Sequence, residues 1–269
     1  MNTFLLIDLA LIGAGFAVPP LSDYNRPSWA YPLYDEDSHK VTPLLIDLQE
    51  IVSSGEISQL MQIWNARAPQ LHASIIHSDL SLAQLAIHLQ LFIYILTVNG
   101  EIFTFRFADC AVLNFLPDHL TVNQWQTMTK PISRWLIHGR DGKLKNLPLS
   151  KNPLEMAEIP MLLEEIQVSS LREALSADRL IFQLRRIRPT QMDNYNEMEL
   201  HTLVTEACSM WRTSGQTDQL LLLDFLLGAI DTDGRILRMT GMTQILNQAS
   251  VETIRSELNK AIIRNSFAK

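Results

Sequence analysis

Apolar residues follow two rhythms along this chain, and the change falls near residue 150. Before it, short unbroken apolar runs alternate with helical stripes. Thr3 to Leu9 (TFLLIDL), Thr42 to Leu48 (TPLLIDL) and Leu71 to His77 (LHASIIH) are short, apolar and rich in β-branched residues, so each predicts a buried strand. Ile132 to His138 (ISRWLIH) alternates, and Gly139-Arg140-Asp141-Gly142 after it reads as a turn. Between the strands, Ile51 to Ala66 predicts a short helix. Ser81 with Gln84, and Thr121 with Gln124, match the capping box, in which each residue's side chain satisfies a free backbone donor of the other. Asp109 is placed to cap a helix over CAVLNFL that Pro117 stops. Ser22 to Lys40 is polar and proline-bearing, but its Trp29, Tyr31, Leu33 and Tyr34 predict a connection pinned to the body.

The densest pattern is Phe92 to Phe107, FIYILTVNGEIFTFRF. Asn99-Gly100 between two β-rich runs predicts a hairpin with a two-residue type I′ turn, which needs φ > 0 at both central residues. That loop pairs Leu96 with Phe103, Tyr94 with Phe105 and Phe92 with Phe107. The other side carries Ile102, Thr104 and Arg106. Both sides are largely apolar, so both are expected to be covered, with Arg106 left to be explained.

From Pro153 the strand pattern stops. Helices are expected over Leu154–Gln167, Leu171–Ile187 (with Ser170 and Glu173 as its capping box), Met198–Arg212, Asp218–Ile230, Met242–Gln248 and Val251–Asn265. The fold class is therefore α/β (α+β). An N-terminal lobe, residues 1–148, holds a mixed sheet flanked by helices, and residues 149–269 form an all-helical lobe.

Composition narrows the function. The chain is 47% hydrophobic and 19% charged, enough for a real core. Its net charge of −7 disfavours nucleic-acid binding, which depends on cations that neutralise phosphates. The dense basic run Arg185-Arg186-x-Arg188 closes a helix ahead of Pro189, where cations complement the macrodipole. Cys110 and Cys208 lie far apart in apolar patterns and read as buried, reduced thiols of a cytoplasmic protein. Phe4 to Val18 is apolar but carries Asp8 and no preceding basic residue. Leu220 to Ile230 is short and contains Asp224. Neither reads as a signal peptide or a membrane span.

Few constellations carry chemistry. Gly13-Ala14-Gly15 begins like a dinucleotide fingerprint, but Val18 stands where the third glycine belongs and Pro19-Pro20 follows. Asp231-Thr232-Asp233-Gly234 fails the calcium-loop pattern at Ala229 and Thr240 and reads as a turn. The histidines lack metal-ligand spacing, so no metal or cofactor is expected. Asp8 and Asp47 each end an LLID run; meeting at one sheet edge, they would form an acid/base pair for a hydrolase, and otherwise each caps a turn. Arg106 and Asp109, three apart, either lock the hairpin to the next helix or present a guanidinium to a partner's carboxylate or carbonyl.

The run HASIIHSDLSLAQL followed by FIYILTVNGEIFTFRFADCAVLNFLP resembles the core of the bacterial family known as domain of unknown function 4123. Phe105, Arg106, Phe107, Asp109, Val112 and Leu113 match its signature. Ala108, Cys110 and Ala111 stand where an aromatic, a proline and a basic residue are usual. The strands ending at Asp8 and Asp47 resemble the family's first two, and EACSMWRTSGQTDQLLLLDFLLGAI resembles its C-terminal helix–turn–helix. The resemblance implies a non-enzymatic, cytoplasmic adaptor chaperone of the type VI secretion system. Such a protein binds a toxic effector, through an apolar or N-terminal segment, and helps load it on the spike (the valine-glycine-repeat trimer or its PAAR-type tip). Phe105, Arg106, Phe107, Asp109, Asp8 and Asp47 are the signature residues it points to.

Overall fold

A computed structural model describes residues 1–12, 26–34, 41–66, 68–149, 157–247 and 250–266. The Gly13-Ala14-Gly15 stretch lies outside these residues. By contacts the chain forms two compact units, Met1–Leu175 and Ser176–Lys269.

The first unit is built on a six-stranded sheet. Its strands are β1 (Asn2–Asp8), β2 (Ala30–Pro32), β3 (Pro43–Asp47), β4 (Ala73–Ser78), β7 (Ile132–His138) and β8 (Leu144–Asn146), in the order β2-β3-β1-β4-β7-β8. Every pair in it is antiparallel. Strand β1 lies inside, and its unbroken apolar run follows from having both faces covered. Phe4 and Leu6 point into one core with Ile76, Trp135 and Ile137. Leu5 and Ile7 point into another with Leu44, Ile46, Ile51, Leu60 and Ile63. The second core lies under α1 (Leu48–Ser53) and α2 (Ile57–Trp64); Gly55, at φ +80°, breaks the single helix expected there. The first core receives α3 (Leu82–Gln90), α4 (Cys110–Leu113), α5 (Leu116–His119) and α6 (Val122–Thr129). Two of the three expected capping boxes form, at Ser81/Gln84 and Thr121/Gln124. Pro117 opens α5 rather than ending a longer helix, since its missing N–H costs nothing in a first turn.

The hairpin does not join this sheet. Strands β5 (Tyr94–Thr97) and β6 (Ile102–Thr104) form a separate sheet with β9 (Met161–Leu163), in the order β6-β5-β9, and β5 and β9 run parallel. Strand β9 and helix α7 (Glu165–Ala174) lie where a helix over 154–167 was expected. Met161, Leu163 and Leu171 enter the core of the first unit, which extends it to Leu175. Ser170 is inside α7, so it caps nothing; Gln167 receives the Glu164 N–H at 3.1 Å instead.

The hairpin register also differs from the expectation. Thr97 N–H donates to Glu101 O at 3.0 Å and Gly100 N–H to Thr97 O at 2.9 Å, so the loop is Val98-Asn99-Gly100. Only Gly100 takes a positive φ, +79°, as in a three-residue loop closed by one left-handed residue. The slip pairs Ile95 with Phe103 and Leu96 with Ile102.

The second unit contains α8 (Ser176–Ile187), α9 (Pro189–Met192), α10 (Glu197–Thr213), α11 (Gln219–Asp231), α12 (Met242–Leu246) and α13 (Val251–Ser266), with a 3-10 turn over Arg235–Arg238. Leu184, Leu200, Val204, Trp211, Phe225, Ile236 and Leu258 share its core. Among the described residues it holds no strand, but the all-helical lobe expected over 149–269 is not uniform: β9 lies within that stretch and belongs to the first unit.

Candidate functional site

Three of the signature residues converge. Asp8 ends β1, and its Oδ1 accepts the Ala10 N–H at 3.0 Å. Its Oδ2 accepts from Arg106 Nη2 at 2.8 Å. Asp109 caps α4 by accepting the Ala111 N–H at 2.9 Å, and its Oδ2 lies 3.6 Å from the same Arg106 nitrogen. Arg106 thus ties the end of β1 to the corner where the hairpin strand enters α4. Its side chain is 44% exposed, while that of Asp8 is 4% exposed. Burial opposes the guanidinium's charge, but the Asp8 carboxylate, and behind it Asp109, outweighs this and raises the pKa of Arg106. Tyr34 sits beside them. Burial, then the charge of Asp8, pushes its phenol up to about 12, so it stays a neutral hydroxyl.

The other three signature residues play different parts. Phe105 and Phe107 are buried in the first core, ring centroids 6.3 Å apart. Asp47 caps α1, accepting the Gln49 and Glu50 N–H groups at 2.9 and 3.1 Å. The paired-carboxylate arrangement does not form. Strands β1 and β3 run antiparallel with Asp8 opposite Pro43 and Asp47 opposite Phe4. The two carboxylates therefore stand at opposite ends of the ladder, four residues or about 13 Å apart. Asp47 instead borders a surface cavity of about 390 Å³ with Ser28, Tyr31, Glu50 and Ser81. There Glu50 accepts the Ser28 hydroxyl at 3.0 Å.

Thiol chemistry is quiet in both units. Cys110 donates to Ala73 O, and burial pushes its thiol up to about 12. Burial also raises Cys208, to about 11. Among the described residues no group of three or more His, Cys, Asp or Glu is placed to hold a metal ion. Asp233, in the segment with a partial calcium-loop pattern, accepts the Tyr195 hydroxyl at 2.7 Å.

Adjoining the Arg106 corner is a surface that sequence reading missed. The inner face of the three-stranded sheet, with Ile95, Met161 and Leu163, closes the core. The outer face was expected to be covered and is open. Ile102 is 66% exposed, Tyr94 55% and Leu162 46%, with Leu96 half-buried between them. Paired residues share a side of a sheet, so Ile102, Leu96 and Leu162 form one apolar row across all three strands. Arg106 follows the last residue of β6 by two positions, so the corner adjoins the Thr104 end of this sheet. No local signal marks the row, because apolar alternation on both hairpin faces leaves open which is covered.

The N-terminal unit is thus a mixed α/β domain whose signature residues are mainly structural and whose exposed feature is an apolar sheet face. Residues 4–127 match the model of the family described as Domain of unknown function (DUF4123). No curated protein and no solved structure matches the chain. Among the described residues no helix is long and apolar enough to cross a membrane.

Proposed function

We propose that this protein is a cytoplasmic adaptor chaperone that acts by binding, not catalysis. It holds an apolar segment of a type VI secretion effector and promotes its loading on the spike. The observation that carries the reading is the open Ile102–Leu96–Leu162 row. Contiguous exposed apolar surface on a well-packed domain is characteristic of a docking site. Strand β6 is the edge of its sheet, so an extended segment can add to it through main-chain hydrogen bonds while its side chains lie on the row. Arg106 adds the guanidinium donors not used by Asp8.

The test is co-expression with the effector encoded beside it. A stable complex is expected, and deleting the gene is expected to abolish that effector's delivery while tube secretion continues. Ile102→Lys with Leu162→Lys, both exposed positions, is expected to abolish the complex without lowering the melting temperature. Delivery that survives deletion overturns the proposal. A complex that survives the double substitution removes the sheet face from it.

A further inference from the structure

The basic run that the sequence assigns to helix-end electrostatics resolves into two parts. Arg185 is used within the fold, donating to Glu197 at 2.7 Å, and Arg188 donates to Gln191 at 3.2 Å. Arg186 has no carboxylate partner among the described residues, and neither does Arg179, seven residues before it on α8. Seven residues are about two turns, so both arginines stand on one side of the helix, about 10 Å apart along the axis. Phe182 and Gln183 lie between them on that side, and Phe182 is 64% exposed. The opposite side, with Ala177, Leu180, Ile181 and Leu184, is buried in the helical core. The exposed stripe is therefore Arg–Phe–Gln–Arg, a cation at each end of an aromatic ring.

Charge distribution makes this stripe distinctive. Residues 176–269 carry as many Lys and Arg as Asp and Glu, so the net charge of −7 belongs to residues 1–175. The second unit is neutral as a whole yet leaves two cations unpaired around an exposed phenylalanine. Arginine and aromatic residues are the side chains most often found at the energetic centre of protein interfaces.

We infer that the Arg179–Phe182–Arg186 face of α8 is a second docking surface, for an acidic protein segment with two carboxylates about two helical turns apart and an apolar side chain between them. A guanidinium prefers a carboxylate because its planar donors match both oxygens. The phenylalanine gives the apolar side chain a surface to cover. Nucleic acid and anionic membrane are less suited, because two arginines neutralise few phosphate charges.

The test selects peptides about twelve residues long from a random displayed library on the full chain, with subtraction against the Arg179→Glu/Arg186→Glu variant. Both substitutions are exposed, and circular dichroism checks that the variant folds. Peptides that survive subtraction are expected to carry two acidic residues flanking an apolar one. They are expected to bind about two- to fivefold more weakly to each single Arg→Ala variant, in the range of exposed ion pairs. Phe182→Ala is expected to weaken them about tenfold. Survivors without acidic residues, or none at all, overturn the inference. So does a surface that takes up single-stranded RNA or phosphatidylglycerol vesicles, but no peptide, in a manner lost in the charge-reversed variant.

Discussion

Arg106→Ala gives the sharpest test of the reasoning about the signature corner. It removes the donor that faces Asp8 Oδ2 at 2.8 Å and leaves a carboxylate whose side chain is 4% exposed. Breaking a fully buried ion pair by deleting one partner costs about 3–5 kcal/mol, and an exposed pair contributes about 0.2–1. This pair lies between these limits. Asp8 keeps the Ala10 N–H, and Arg106 itself is 44% exposed, so water partly screens it and can reach the vacated site. A loss of about 2 kcal/mol follows, in line with a hydrogen bond to a charged group. For a unit of this size that lowers the melting temperature by about 4–8 °C. The assay is thermal unfolding followed by circular dichroism, with Asp8→Asn and the double variant completing a cycle. The two single losses should be strongly non-additive, because either one dissolves the same contact. Partner binding, measured well below the transition, separates the two roles of the residue. Unchanged melting with lost binding would refute the tether and leave Arg106 as a contact group alone.

Three further outcomes follow from particular contacts. Asp47→Ala should cost about 1 kcal/mol, the ordinary loss of an N-cap, without affecting partner binding; chemical denaturation measures it. Gly100→Ala should destabilise by about 1–2 kcal/mol, because φ of +79° puts a Cβ against the backbone; denaturant midpoints of the two proteins measure it. The thiols should resist alkylation in the native state at pH 8 and react on unfolding. The pH dependence has a definite sign. Cys110 is neutral when protonated and its folded pKa, about 12, lies above the ordinary 9.0. Stability from this group is fully present below pH 9 and falls as pH rises toward 12, a decline that Cys110→Ala should reduce in pH-dependent melting.

Local chemistry carried much of the fold. Capping boxes at Ser81 and Thr121 were readable because all their atoms lie within four residues. Cap Asp109 was readable for the same reason, and strand Ile132–His138 from its alternation between two faces. Strand β9 was not, because MLL is too short to announce a strand, and its pairing with β5 is a parallel contact across more than sixty residues. The hairpin slipped by one residue because Asn-Gly suits several turns. Here Asn99 keeps a negative φ and its side chain donates to Glu165 at 3.2 Å, a partner distant in sequence.

What the sequence determined by itself is an α/β unit followed by a helical one, the apolar continuity of β1 and β3, and the family resemblance around Phe105–Leu113. Tertiary structure alone decided which ends of those strands meet. Antiparallel pairing of β1 and β3 parts Asp8 from Asp47 and delivers Asp8 to Arg106, ninety-eight residues away. It also decided which face of the hairpin stays open. Periodicity sorts residues onto two faces, but only the positions of other elements determine which face meets the core and which meets water.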